Sequence, residues 1–178
     1  MTVKEFLDYL SQELNRSPRT VISYAEDLYA FEAYFLDKDE GLTWETIDTD
    51  IIRDWMESMV DKGNSPSSVA RRLSAVKGFL KFALAREFIS SDPAHAIRSP
   101  KRSRPLPQFL KENEINDLLD KQAWGDDFKG LRDRLIIMML YETGVRLAEL
   151  VGMDDEAVNL TGQFIKVTGK GDKQRVIP

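Results

Sequence analysis

Apolar residues recur at helical spacing through the first hundred residues. Phe6, Leu7, Leu10 and Leu14 share one face, and Thr2, three residues ahead of Glu5, has the spacing of a reciprocal side-chain cap. Ser17 before Pro18 marks a second start, because the serine oxygen accepts an orphan amide hydrogen and proline has none to satisfy. Val21, Tyr24, Leu28, Phe31 and Phe35 carry that stripe onward. Asp48 caps a third segment whose apolar face is Ile51, Ile52, Trp55, Met56, Met59 and Val60, ending near Gly63. Ser65 before Pro66 opens a fourth, buried through Val69, Leu73, Val76, Leu80 and Leu84. Four helices with short connections predict a bundle.

The pattern breaks at RSPKRSRPLPQ, residues 98–108, where three prolines prevent a regular helix and four residues are basic. Beyond this extended connector, Lys111 to Leu119 and Arg132 to Tyr141 read as helices. The second is apolar without interruption from Leu135 to Leu140, as expected of a helix inside a larger domain. The ending VTGKGDKQRVIP, residues 167–178, reads as two strands around a glycine-rich turn. A two-stranded ribbon is marginal alone, so the second domain is expected to be incomplete at Pro178. The expected organisation is a helical domain over 1–97, a basic linker over 98–109 and part of a second domain over 110–178.

Composition narrows the chemistry. The 178 residues are 42% hydrophobic, enough for a core, and contain no cysteine and one histidine, His95. A disulfide framework, a thiolate zinc site and a multi-histidine metal cluster are thereby excluded within this chain. The start MTVKEFLDYL lacks the apolar core of a signal peptide, and no stretch approaches the roughly 18 apolar residues of a membrane span, so a cytoplasmic protein is expected. The net charge of −5 conceals a strong asymmetry. Between Lys62 and Lys111 eleven basic residues face only Glu87 and Asp92, which predicts one surface built for a polyanion.

The fourth helix concentrates that charge. Its polar face carries Arg71, Arg72, Lys77 and Lys81 among serines 67, 68 and 74, with no acidic residue from Pro66 to Arg86. Solvated helix faces usually mix signs for i,i+4 pairing, and the absence of mixing favours contact with nucleic-acid phosphates over a plain solvated face. In TGVRLAEL, residues 143–150, Gly144 permits a turn that starts a short helix at Arg146. Two readings fit Arg146 equally: bidentate grip of a phosphate, or an i,i+3 pair with Glu149. GKGDK, residues 169–173, lacks the spacing of a nucleotide-binding P-loop and fits a hairpin turn. Lys170 at its tip suits either proton donation to a leaving oxygen or simple solubility.

A helical N-terminal module, a basic connector, YETGVRLAEL and a hairpin VTGKGDKQRVIP, in that order, resemble the tyrosine recombinase (phage integrase) family, most closely the Xer type of bacterial site-specific recombinase. SPRTVISYAEDLYAF and SPSSVARRLSAVKGFLKFAL look like the DNA-facing helices of its core-binding domain, and DPAHAIRSPKRSRPLP like its interdomain linker. The resemblance implies a mainly α fold: a four-helix SAM-like core-binding domain, then the first helices and β-hairpin of an α+β catalytic domain. It implies that Arg146 clamps the scissile phosphate and that Lys170 is the general acid for the departing 5′ oxygen. It implies DNA contacts from Arg19, Arg71, Arg72, Lys77, Lys81, Lys101, Arg102 and Arg104.

Family chemistry is metal-free and needs no cofactor: a tyrosine attacks the phosphate, keeps the bond energy in a 3′-phosphotyrosyl link, and strands are exchanged in a tetramer on two recombination sites. The family's His-x-x-Arg motif, a further His or Trp and the nucleophilic tyrosine lie downstream of the hairpin, and all five tyrosines here precede Lys170. The expectation is therefore a recombinase fragment that binds duplex DNA without cleaving it. With the core-binding helices starting near Met1, no arm-binding domain is expected ahead of them, which favours a simple recombinase over a large phage integrase; the role the Xer resemblance implies is chromosome dimer resolution. The alternatives are a mobile-element integrase or invertase of the same family, a non-catalytic DNA-binding regulator that kept the fold, and an acidic helical interaction module.

Overall fold

A computed structural model describes residues 1–178 apart from 102–105, 122–123, 170 and 172. Arg102, Arg104 and Lys170 therefore lie outside the described residues. The chain divides into two units, Met1–Pro105 and Leu106–Pro178. The fold is mainly helical, with a helical bundle in the first unit and helices plus a small sheet in the second.

In the first unit, α1 spans Val3–Asp8, α2 Pro18–Lys38, α3 Thr49–Asp61 and α4 Pro66–Ala85. Each starts at the expected cap: Thr2 and Glu5 bond reciprocally, Ser17 accepts from the Thr20 amide, Asp48 from Asp50 and Ile51, and Ser65 from Ser68. The first helix does not run regularly to Leu14. It widens into a π-helical turn over Tyr9–Glu13, with the Leu14 amide bonded to the Tyr9 carbonyl at 3.1 Å, and stops at Asn15, whose φ is +47°. Phe31, Phe35, Trp44, Trp55 and Phe79 interlock edge-on or tilted at the centre, and Leu28, Ile52, Leu73, Val76 and Leu80 close the core around them. Leu14, Val60 and Leu84, expected inside, are exposed because they lie at helix ends beyond the packed centre.

In the second unit, α5 spans Glu112–Lys121, α6 Phe128–Thr143 and α7 Leu147–Val151. α6 begins four residues before the expected Arg132 because Asp127 caps it, accepting from the Gly130 amide at 2.9 Å. The ribbon is also larger than the sequence predicts. β1 (Val158–Asn159) pairs antiparallel with β2 (Phe164–Thr168), which pairs antiparallel with β3 (Gln174–Ile177), giving a three-stranded sheet. Val145, Ile165 and Val167 form the small core, with Met139, Leu140, Leu150, Met153 and Ile177 against it. α6 does not sit in an interior: none of its residues is buried, and Leu131, Leu135 and Tyr141 are exposed. Among the described residues no helix is long and apolar enough to cross a membrane.

Candidate nucleic-acid groove and phosphate-binding corner

In the first unit, the N-terminal halves of α2 and α4 border a groove of about 590 Å³. Hydroxyl groups dominate its rims, from Ser17, Thr20 and Ser23 on one side and Ser67, Ser68 and Ser74 on the other. Arg19 and Arg71 supply its positive charge, and its one acid, Asp27, is 4% exposed. Neither helix has an acidic residue in its first turn, so two helix N-termini open on the groove with no carboxylate competing for an anion.

The cations of α4 are not alike. Arg71 donates from Nη1 and Nη2 to the two oxygens of Asp27, the latter at 2.8 Å, and from Nη1 to Ser23 Oγ at 3.0 Å. Arg72 Nε lies 3.8 Å from the same carboxylate. Lys77 donates to the Ile97 carbonyl at 2.5 Å, which commits it to the end of its own domain. Lys81 is exposed, as are Arg19 and Lys101, and no ion pair ties any of the three among the described residues. The mixing of sign that α4 lacks along its own sequence is thus supplied across the bundle by Asp27 of α2. A pair 44 residues apart leaves no local pattern to read.

The second unit contains the other site. Gly144 ends α6 in the left-handed region at φ +61°, a turn in which a side chain at that position would be strained. Val145, 4% exposed, anchors the next residue from below, and Arg146 enters α7 with extended backbone. The Arg146 side chain remains 70% exposed while its Nη1 donates to Glu149 Oε1 at 2.8 Å, and the Arg146 amide donates to Glu149 Oε2 at 2.9 Å. Of the two sequence readings of Arg146, the i,i+3 pair with Glu149 is present, and it orients the guanidinium while leaving most of it open.

Glu149 is the hub. Its side chain is 4% exposed and also accepts from Arg175 on β3, at 2.8 Å from Nη2 and 3.3 Å from Nη1. The Arg146 amide, the Arg146 guanidinium and the nearby Arg175 charge hold its carboxyl below the usual carboxylate range, against the opposing effect of burial. Gly169 completes the corner, since a Cβ there would stand 2.9 Å from Glu149 Oε1 and 3.9 Å from Arg146 Nη1. The hairpin base thus rests directly against the arginine corner.

Asp27, Glu149 as a double acceptor, and Arg175 were not singled out from sequence. Arg175 left one trace. It pairs across the ladder with Val167, so it shares the face of a residue that is 2% exposed, and a charge on the inner face of a small sheet calls for a partner.

Residues 3–87 match the model for the phage integrase N-terminal SAM-like domain, and residues 108–178 match the phage integrase family. The tyrosine recombinase XerC of Mycobacterium sp. (strain KMS) is 38% identical over 176 residues, covering 97% of this chain and 59% of that protein. The tyrosine recombinase XerD of Staphylococcus haemolyticus is 34% identical, covering 99% of this chain and 59% of its own length. Among solved structures, a lambda integrase dimer bound to a COC′ core site superposes with a TM-score of 0.70 at 20% identity, over 99% of this chain and 47% of that one. The Tn1549 transposon integrase in complex with circular intermediate DNA superposes at 0.68 and 18%, over 100% and 60%. The chain belongs to the phage integrase family of tyrosine recombinases. It spans about 59% of the length of the curated recombinases it matches.

Proposed function

We propose that this chain is the DNA-holding part of a site-specific recombinase of the Xer type, acting on duplex recombination sites as part of a tetramer in the cytoplasm, with chromosome dimer resolution as its role. The observation that carries the reading is Arg146: a guanidinium fixed on its inner edge by a buried carboxylate and open on its outer edge, with Gly169 at the base of the β2–β3 hairpin beside it.

The chemistry follows from what such a corner supplies. In the transition state of phosphoryl transfer, charge spreads over the non-bridging oxygens, and a pre-oriented guanidinium stabilises it without reorganising. A tyrosine oxygen forms the new bond to phosphorus, the bond to the 5′ oxygen breaks, and that oxygen takes a proton, the part assigned to Lys170. Arg19, Lys81 and Lys101 supply free positive charge for the DNA backbone, with Arg102 and Arg104 continuing along the connector. Arg71, Arg72 and Lys77 also belong to the DNA-facing helix, but their charges are already engaged within the protein. This chain contributes the groove and the clamp and is expected to bind DNA without cutting it.

Phosphate ethylation interference on duplexes enriched from a random library tests the assignment. Ethylation at one phosphate is expected to block binding of the wild-type chain, and Arg146→Ala is expected to lose that one signal. Identical footprints for the two proteins would contradict the role of Arg146, and a covalent protein–DNA adduct on a nicked duplex would contradict the assigned inability to cleave.

A further inference from the structure

Arg71 sits in the groove between α2 and α4 with its side chain 51% exposed, and its pairing is one-sided. Asp27 takes one proton from each terminal nitrogen, and Ser23 takes the second proton of Nη1. A guanidinium has five N–H donors, so Nε–H and the remaining Nη2–H are left over, two parallel donors along one edge. No acceptor in the described protein meets that edge.

The charge balance shows what such an arginine is for. A buried carboxylate in direct contact cancels much of the long-range field of Arg71, so it adds little to the non-specific attraction between a basic surface and phosphates. The same carboxylate fixes the orientation of the guanidinium, which a backbone contact outside a reacting centre does not call for and base recognition requires. Guanine presents two parallel acceptors, N7 and O6, on its major-groove edge, and an α-helix fits that groove. The hydroxyls of Ser17, Thr20, Ser67 and Ser68 flank Arg71 on both rims, where backbone phosphates would pass.

Building on the DNA-binding reading above, we propose that Arg71, aimed by the buried Asp27, reads a guanine in the major groove and so sets sequence preference in the first unit. Asp27 is a positioning residue in this scheme: it touches no base and acts by presenting the free edge of Arg71.

The test is selection of duplexes from a random-sequence library by the wild-type chain, Arg71→Lys and Asp27→Asn, with salt titrations on a fixed non-selected duplex. The wild type is expected to enrich a guanine at one position, and 7-deazaguanine there, which lacks the N7 acceptor, is expected to weaken binding about tenfold. Arg71→Lys keeps the charge, loses the two-donor edge, and is expected to abolish that preference and the 7-deazaguanine effect. Asp27→Asn is expected to weaken both. The salt slope on the non-selected duplex is expected to be the same for wild type and Arg71→Ala, whereas a phosphate contact would lower it by about 0.9. An unchanged motif for Arg71→Lys, a wild type with no base preference, or a reduced slope for Arg71→Ala would overturn the proposal while leaving DNA binding intact. A wild type that binds no duplex would overturn the DNA-binding reading as well. Should Asp27→Asn fail to fold, Arg71→Lys decides alone.

Discussion

Arg175 reaches back 26 residues to place Nη2 2.8 Å from Oε2 of Glu149, so the last strand of the sheet and the arginine corner share one buried carboxylate. Protonating that carboxylate must loosen both. Its folded pKa lies below the ordinary value, so the stability it contributes is present above the unfolded carboxylate range, about pH 4.3, and is lost as pH falls through the folded value. A carboxyl-carbon NMR titration is expected to show Glu149 titrating below the ordinary glutamate value. Arg175→Met is expected to move it upward, and no movement would show that Arg175 leaves the Glu149 charge unaffected.

Gly169 is expected to accept no side chain. A Cβ would meet Glu149 Oε1 at 2.9 Å, and the buried carboxylate is held by four N–H donors and has little room to retreat. Gly169→Ala is therefore expected to shift the Nε–Hε resonance of Arg146 and to lower the melting temperature of the second unit, while Gly171→Ala, with open space around its Cβ, is expected to leave that resonance in place despite its φ of +75°.

The first unit depends on its aromatic centre. Phe79 is fully buried, with its ring centroid 4.4 Å from that of Trp44 and 5.5 Å from that of Phe6. Phe79→Ala is expected to cost about 3–5 kcal/mol and, for a unit of this size, tens of degrees of melting temperature. Calorimetry of the chain checks this, and a shift of only a few degrees would mean that the core closes over the gap.

Much of this architecture was legible in the sequence. The caps at Thr2, Ser17, Asp48 and Ser65 and the stripes behind them are local signals, and the structure follows them because each satisfies backbone groups that have no other partner. The order of motifs gave the family. What stayed hidden was pairing over distance: Asp27 with Arg71, Glu149 with Arg175, and β1 with β2. β1 is two residues long with both side chains exposed, so neither periodicity nor apolar content marks it. The cationic face of α4 looked uniform for the same reason, since its counter-charge lies on another helix.

Fluorescence anisotropy of a labelled duplex, titrated with this chain across a salt series, tests the central claim most directly. Binding is expected at low salt, with an affinity that falls linearly on logarithmic axes at a slope near −0.9 for each phosphate neutralised, and a shallower slope when Arg19 and Lys81 are both changed to Ala. Absence of binding at low salt, or an affinity indifferent to salt, would contradict it.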